Sequence, residues 1–199
     1  MAVYFHGSFG LKREILSRLV ALGLGHSDWR DRELAAEFGY GKPFGAKYRS
    51  WLHKTGLAEM GFPLRLTPMG SVVFENDPKL ESRTSLWFLH HELTQDPERA
   101  EAWHYFAKIF LPRHASFTRG DLLEGLTDQL RSHSEKHFGP GSKLNKVIAA
   151  KLLECYTQDA ALGPLGLVQV GDKRYIRGSV NSLEGPWRSP EELRRSFRR

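Results

Sequence analysis

Between Leu11 and Asn76 turn residues interrupt the chain so often that it can hold only short helices and a small hairpin. Leu11, Ile15, Leu16, Leu19 and Val20 recur at helical spacing over Leu11 to Leu22, and Gly23 and Gly25 close the run. Asp31 to Phe38 reads as a second short helix stopped by Gly39. Pro43 suits a first helical position, and from there Phe44, Tyr48, Trp51 and Leu52 stand within an arc of about 100° on a helical wheel. Leu57 to Met60 and Leu64 to Leu66, joined by Gly61-Phe62-Pro63, predict a tight hairpin. Thr67 then offers an N-cap and Pro68 a first helical residue, so a further helix is expected over Pro68 to Glu75. Ahead of all these, Val3-Tyr4-Phe5 is expected as a short strand.

Asn76-Asp77-Pro78 marks a break, after which Leu86, Trp87, Phe88 and Leu89 fall in one helix and Trp103, Tyr105, Phe106 and Phe110 in the next. Asp96-Pro97 separates the two as cap and first residue, and Pro112 is expected to end the second. Thr118 with Asp121 has the form of a capped start for a helix through Leu122, Leu123, Leu126 and Leu130, stopped by Gly139-Pro140-Gly141. A fresh helix follows Ser142, with Leu144, Val147, Ile148, Leu152 and Cys155 on one face. Leu167 to Val170 and Lys173 to Ile176 flank Gly171-Asp172, which predicts a hairpin with a two-residue turn. From Ser189 a short capped helix ends in Arg194, Arg195, Arg198 and Arg199, a basic tail that either reaches a phosphate backbone or frays.

Several function classes are excluded early. In 199 residues there is one cysteine, Cys155, so an internal disulfide and a multi-cysteine zinc site are both ruled out. No apolar run approaches the roughly 18 residues of a spanning helix, and Met1 to Gly10 lacks a leader pattern, so a cytoplasmic protein with no membrane partner is expected. His133 and His137 stand four apart, and His90, His91, Glu92 and His104 lie on neighbouring helices, yet none of these spacings is a zinc motif, so no metal is expected. Phe138 to Lys143 lacks the glycine and lysine spacing of a phosphate loop. No serine sits on a strand-to-helix elbow and Cys155 belongs to a packed face, so we expect no catalytic residue, no cofactor and no enzyme activity.

Glu33-Leu34-Ala35, Gly39, Tyr48, Leu52, Gly56-Leu57 and Leu66-Thr67-Pro68-Met69-Gly70 resemble the winged helix-turn-helix domains of prokaryotic regulators, over about Leu11 to Asn76. The later hairpin, preceded by two helices, resembles a second such unit. The fold expected is therefore mainly α with short β-hairpins. Residues 1–76 would form a winged helix-turn-helix domain, 77–117 an aromatic-rich helical connector, 118–183 a second winged-helix-like domain and 184–199 a basic tail.

With 29 Lys plus Arg against 23 Asp plus Glu, the net charge of +6 favours a polyanion, and its placement matters more than its size. Lys47, Ser50 and Lys54 share one line of the third helix, Arg49 and His53 lie beside it, and Lys42 stands at its start. A recognition helix presents its groove-facing side chains there, with Lys and Arg neutralising phosphates and Arg49, Ser50 and His53 suited to base edges. Arg65 on the hairpin and Arg30 and Arg32 before the helix extend the set. Lys143, Lys146, Lys173 and Arg174, with Arg177 beside them, form a second, supporting group. The alternative is an ordinary solvated basic face on a domain that binds protein.

Tyr4 to Gly10, Tyr48 to Leu52, Trp87 to Leu93 and Arg131 to Lys143 resemble an uncharacterised bacterial family, the domain of unknown function numbered four thousand and seven, over nearly the whole chain. Members of that family are often encoded beside proteins similar to phosphoadenosine-phosphosulfate reductases and cysteine desulfurases, the sulfur-transfer enzymes of DNA phosphorothioate modification and related phage defence. The resemblance implies double-stranded DNA as partner, and sulfur-transfer or other DNA-modification proteins as further ones. It carries over no catalytic residue. The expected function is a non-enzymatic DNA-binding protein acting in or regulating such a system; the alternative is a subunit scaffolding a sulfur-transfer enzyme through its aromatic middle helices.

Overall fold

The computed structural model describes residues 3–179 and 185–198. It is mainly helical with one small antiparallel sheet, and its contacts divide it into two compact units: Phe5–Glu92 with Leu183–Arg199, and Met1–Tyr4 with Leu93–Ser182.

The first unit opens with α1 (Arg13–Gly25), α2 (Asp31–Ala36) and α3 (Lys42–Lys54). The arc drawn by Phe44, Tyr48, Trp51 and Leu52 is the buried face of α3, packed with Leu16, Leu19 and Val20 of α1 and Leu34 of α2 in the core. Gly45 lets α2 and α3 approach closely, because a Cβ there would overlap the Asp31 carbonyl. The expected hairpin closes on one antiparallel bridge, Ala58 to Leu66, and Thr67 caps α4 (Pro68–Asn76) by accepting the Gly70 N–H at 2.8 Å. Helix α5 spans Arg83–Thr94, and the division between the units falls in its last turn.

Two expectations for the ends of the chain are corrected. Val3–Phe5 is not a strand: residues 3–8 run through turns, with Gly7 at φ +61° and the Phe9 N–H donating to the His6 carbonyl at 3.1 Å. Phe5 is instead held edge-on against Trp51, with ring centroids 4.8 Å apart. The basic tail is a docked element, with α11 (Pro190–Ser196) packing on α4, Leu193 buried and Arg194 paired with Glu75 at 3.1 Å. Arg199 lies outside the described residues.

In the second unit α6 (Pro97–His104) starts on the Asp96 cap, whose carboxylate accepts the Glu98 N–H at 2.8 Å. A π-helical turn, Tyr105–Phe110, continues it into α7 (Leu111–Arg113), so the helical path ends one residue past Pro112. β1 (Ser116–Phe117) precedes α8 (Arg119–Leu130), which is opened by a reciprocal cap: Thr118 Oγ1 accepts the Asp121 N–H at 3.1 Å and the Asp121 carboxylate accepts the Thr118 N–H at 2.7 Å.

Helix α8 stops at Leu130, before the glycines expected to end it, because a 3-10 turn (Arg131–His133) and the Ser134-capped α9 (Glu135–Phe138) intervene. His133 and His137 therefore do not share a helix. Ser142 caps α10 (Lys143–Thr157), whose Ile148, Leu152, Cys155 and Tyr156 are buried with Trp103, Phe106, Phe117, Leu122 and Leu126.

The sheet has the order β1-β3-β2, with β2 (Val168–Val170) and β3 (Tyr175–Arg177) as the hairpin. Val170 pairs with Tyr175 and the Gly171 N–H donates to the Arg174 carbonyl at 2.8 Å, so the tip is Asp172-Lys173, one residue later than expected. Pairing of β3 with β1, which stacks Tyr175 on Phe117 at 5.5 Å, sets that register.

The connector expected over 77–117 is not a unit of its own. Its first part belongs with the first unit and the remainder, from Leu93, with the second. Trp87 and Trp103, one on either side of that division, are both fully buried.

Candidate nucleic-acid interface

The basic side of α3 is more covered than its sequence predicts. Residues 5–10 run alongside it: Tyr48 donates its hydroxyl to the Gly10 carbonyl at 2.9 Å, and Trp51 its indole N–H to the Phe9 carbonyl at 3.1 Å. Burial, followed by the nearness of Tyr40, pushes the Tyr48 phenol well above its ordinary range, so it acts only as a neutral donor. The Lys47 stem lies over Gly7 and the Lys54 ammonium sits 5.9 Å from the Phe5 ring centre. Lys47, His53 and Lys54 are all half-buried.

Arg49 is held on the other side. Its Nε donates to Asp31 Oδ1 at 2.9 Å and its Nη2 to Asp31 Oδ2 at 3.1 Å, a bidentate pair with Asp31 buried. The same guanidinium lies 4.8 Å from the Phe62 ring centre and 3.4 Å from the Met60 sulfur, while Arg30 approaches Phe62 at 5.2 Å. Arg30 also folds back to donate to the carbonyls of Ser27, Asp28 and Trp29. Ser50 donates its hydroxyl to the Ala46 carbonyl at 3.0 Å, within its own helix. Arg49 thus ties α2, α3 and the hairpin tip together, Arg30 reaches that tip as well, and Ser50 is engaged within α3.

Arg32, Lys42 and Arg65 remain exposed, with no side-chain partner among the described residues. They stand on α2, at the start of α3 and on the hairpin strand. Asp31, Met60 and Phe62 were missed because nothing in their local sequence announces a partner; only the fold brings them to Arg49.

In the second unit Arg174 donates to the Ser116 hydroxyl and carbonyl at 3.2 and 3.3 Å, tying the hairpin to β1. Lys146 and Lys173 are exposed. Lys143 lies at a cavity of about 350 Å³ at the start of α10, together with Lys136 and His137, two residues absent from the expected set. Among the described residues no three His, Cys, Asp or Glu side chains converge on a metal-holding position, and no helix is long and apolar enough to cross a membrane.

These features define a mainly helical protein in which a basic helix is clamped between an N-terminal strap and an acidic clasp. The chain belongs to the family described as Protein of unknown function (DUF4007), which matches residues 6–165. No curated protein matches it. Its fold is similar to a crystal structure of SspB, with TM-score 0.65 and 19% identity, and to one of magnesium-ion-bound SspB, with TM-score 0.61 and 20% identity. Each match covers 92% of this chain and 62% of the SspB chain, so the chain spans less than two thirds of the length of SspB. At that identity the likeness is one of fold.

Proposed function

We propose that this chain is a non-enzymatic DNA-binding protein in which the first unit serves as a winged helix-turn-helix module. The observation that carries the reading is the exposure of Arg32, Lys42 and Arg65 on α2, at the head of α3 and on the hairpin, the elements such a module lays along a duplex. Because Arg49 and Ser50 are engaged within the fold, these contacts neutralise phosphate and carry little base readout. In the second unit β1 pairs with the β2–β3 hairpin and Lys146 and Lys173 stay exposed, which supports an auxiliary phosphate contact there.

The setting, a DNA-modification defence system of the phosphorothioation type, rests on the sequence resemblance, and sulfur-transfer or other DNA-modification proteins are its proposed partners. A scaffold working through exposed aromatic helices is less favoured, since Trp87 and Trp103 are fully buried and only Tyr105 of the three expected contact aromatics is partly exposed. The test is binding to a fluorescent random duplex across a salt series, with a phosphorothioate-bearing duplex alongside. Affinity falling steeply with salt supports the reading, and no binding at low salt overturns it.

A further inference from the structure

The second unit carries a cavity of about 310 Å³ that the DNA-binding reading does not use. One wall is aromatic and the other acidic. The π-helical turn supplies Tyr105 and Phe110, ring centres 6.2 Å apart, and His114 stacks on Phe110 at 4.1 Å with an 18° angle between the planes. Opposite them, Asp121, Glu124 and Asp128 recur on one face of α8. Gly125 lies between the walls, and a Cβ there would overlap the Tyr105 hydroxyl, so the glycine lets that hydroxyl rest against α8. Burial first, and then Asp128, raise the Tyr105 phenol, which keeps it a neutral donor.

The carboxylates are unequally engaged. Asp121 caps α8 and lies 3.7 Å from Arg174. Asp128 pairs with Arg131 at 3.9 Å, in the open, and Glu124 has no side-chain partner among the described residues. In a chain of net charge +6 this concavity is lined by three carboxylates and by no lysine or arginine, with Arg131 and Arg174 reaching two of the carboxylates from outside the lining. The half-exposed rings of Tyr105 and His114 beside Glu124, the carboxylate left without a partner among the described residues, match a planar guanidinium, which stacks on aromatic faces while its fork meets carboxylate oxygens. Glu124 and Asp128 are exposed, so a free small cation would keep most of its water there; a side chain held in place by its own backbone is retained better.

We propose that the cavity between the Tyr105–Phe110 turn and α8 is a docking pocket for an arginine side chain presented by a partner protein. The test uses the intact chain and an arginine-centred heptapeptide, followed through the aromatic NMR signals of Tyr105 and His114. The glutamine-centred peptide, ethylguanidinium and the Glu124→Gln/Asp128→Asn variant are run beside it. Both substituted side chains are exposed, and unchanged circular dichroism confirms that the variant folds.

The expected result is a saturable shift with the arginine peptide, weaker by about tenfold or more for the glutamine peptide and for the variant. Equal binding of the two peptides, an unchanged affinity in the variant or the absence of any saturable shift overturns the pocket. Ethylguanidinium binding as tightly as the peptide overturns the docking assignment in favour of a small-cation site.

Discussion

Arg49 closes on Asp31 across the α2–α3 junction through two parallel N–H···O contacts, at 2.9 and 3.1 Å. The pair is close to bidentate, the Asp31 side chain is only 9% exposed, and the guanidinium also covers Phe62 of the hairpin tip. A residue that the sequence offers to DNA thus fixes the geometry of the element that would carry DNA. Asp31→Asn is expected to cost about 3–5 kcal/mol in denaturant unfolding, because it leaves the arginine charge half-buried without its partner. Reversal of charge at Arg49 is accordingly a folding perturbation, and a double-mutant cycle with Asp31 should show strong coupling. Additive single effects would refute the clasp.

DNA binding should depend on exposed cations. Lys42→Glu with Arg65→Glu is expected to leave the melting temperature unchanged while weakening duplex binding and reducing the slope of log affinity against log salt by about 2. Unchanged affinity would remove the first unit from the interface.

Gly45 stands where a Cβ would overlap the Asp31 carbonyl, and backbone cannot yield as a side-chain end can. Gly45→Ala is expected to destabilise the chain by about 1–3 kcal/mol, read as a lower denaturant midpoint at constant slope. A neutral substitution would mean that α2 and α3 separate at little cost.

Asp77 accepts the Ser85 hydroxyl at 2.6 Å and the N–H groups of Ser82 and Glu81 at 2.8 and 3.1 Å, all between α4 and α5. Burial opposes ionisation, yet these hydrogen bonds prevail and hold the carboxyl below its ordinary value of 3.8. Its contribution is therefore present above about pH 4 and lost as pH falls through the lower folded value. Stability of the parent chain should fall in that acid range, with the fall shallower in Asp77→Asn, itself less stable at neutral pH by about 1–3 kcal/mol. Parallel pH profiles for the two chains would contradict this.

Burial pushes the Cys155 thiol up to about 12, and the side chain is 1% exposed. At neutral pH it should react with a thiol reagent only at the rate of unfolding. Rapid labelling of the folded chain would place it at the surface.

Much of the first unit was legible in local signals. Pro43, Thr67-Pro68 and the wheel position of Phe44, Tyr48, Trp51 and Leu52 determined helix starts and the buried face of α3, because caps and periodicity act over a few neighbouring residues. The reciprocal cap at Thr118 and Asp121 was equally readable. The sheet register was not, since β1 lies 58 residues from its nearest partner contact, Ser116 to Arg174. Nor did local sequence show that α8 would end at Leu130, or that the basic tail would dock on α4 through Leu193 and Arg194.

By itself the sequence determined where most of the helices start, which of their faces are apolar, and that the balance of charge is basic. Tertiary structure alone decided which charges remain available: Arg49 is committed by Asp31, 18 residues away, and by Phe62, while Arg32, Lys42 and Arg65 are left to solvent. The reason is physical. Periodicity and capping are properties of adjacent residues, whereas the partner of a long cationic side chain is whatever the folded backbone brings within its reach.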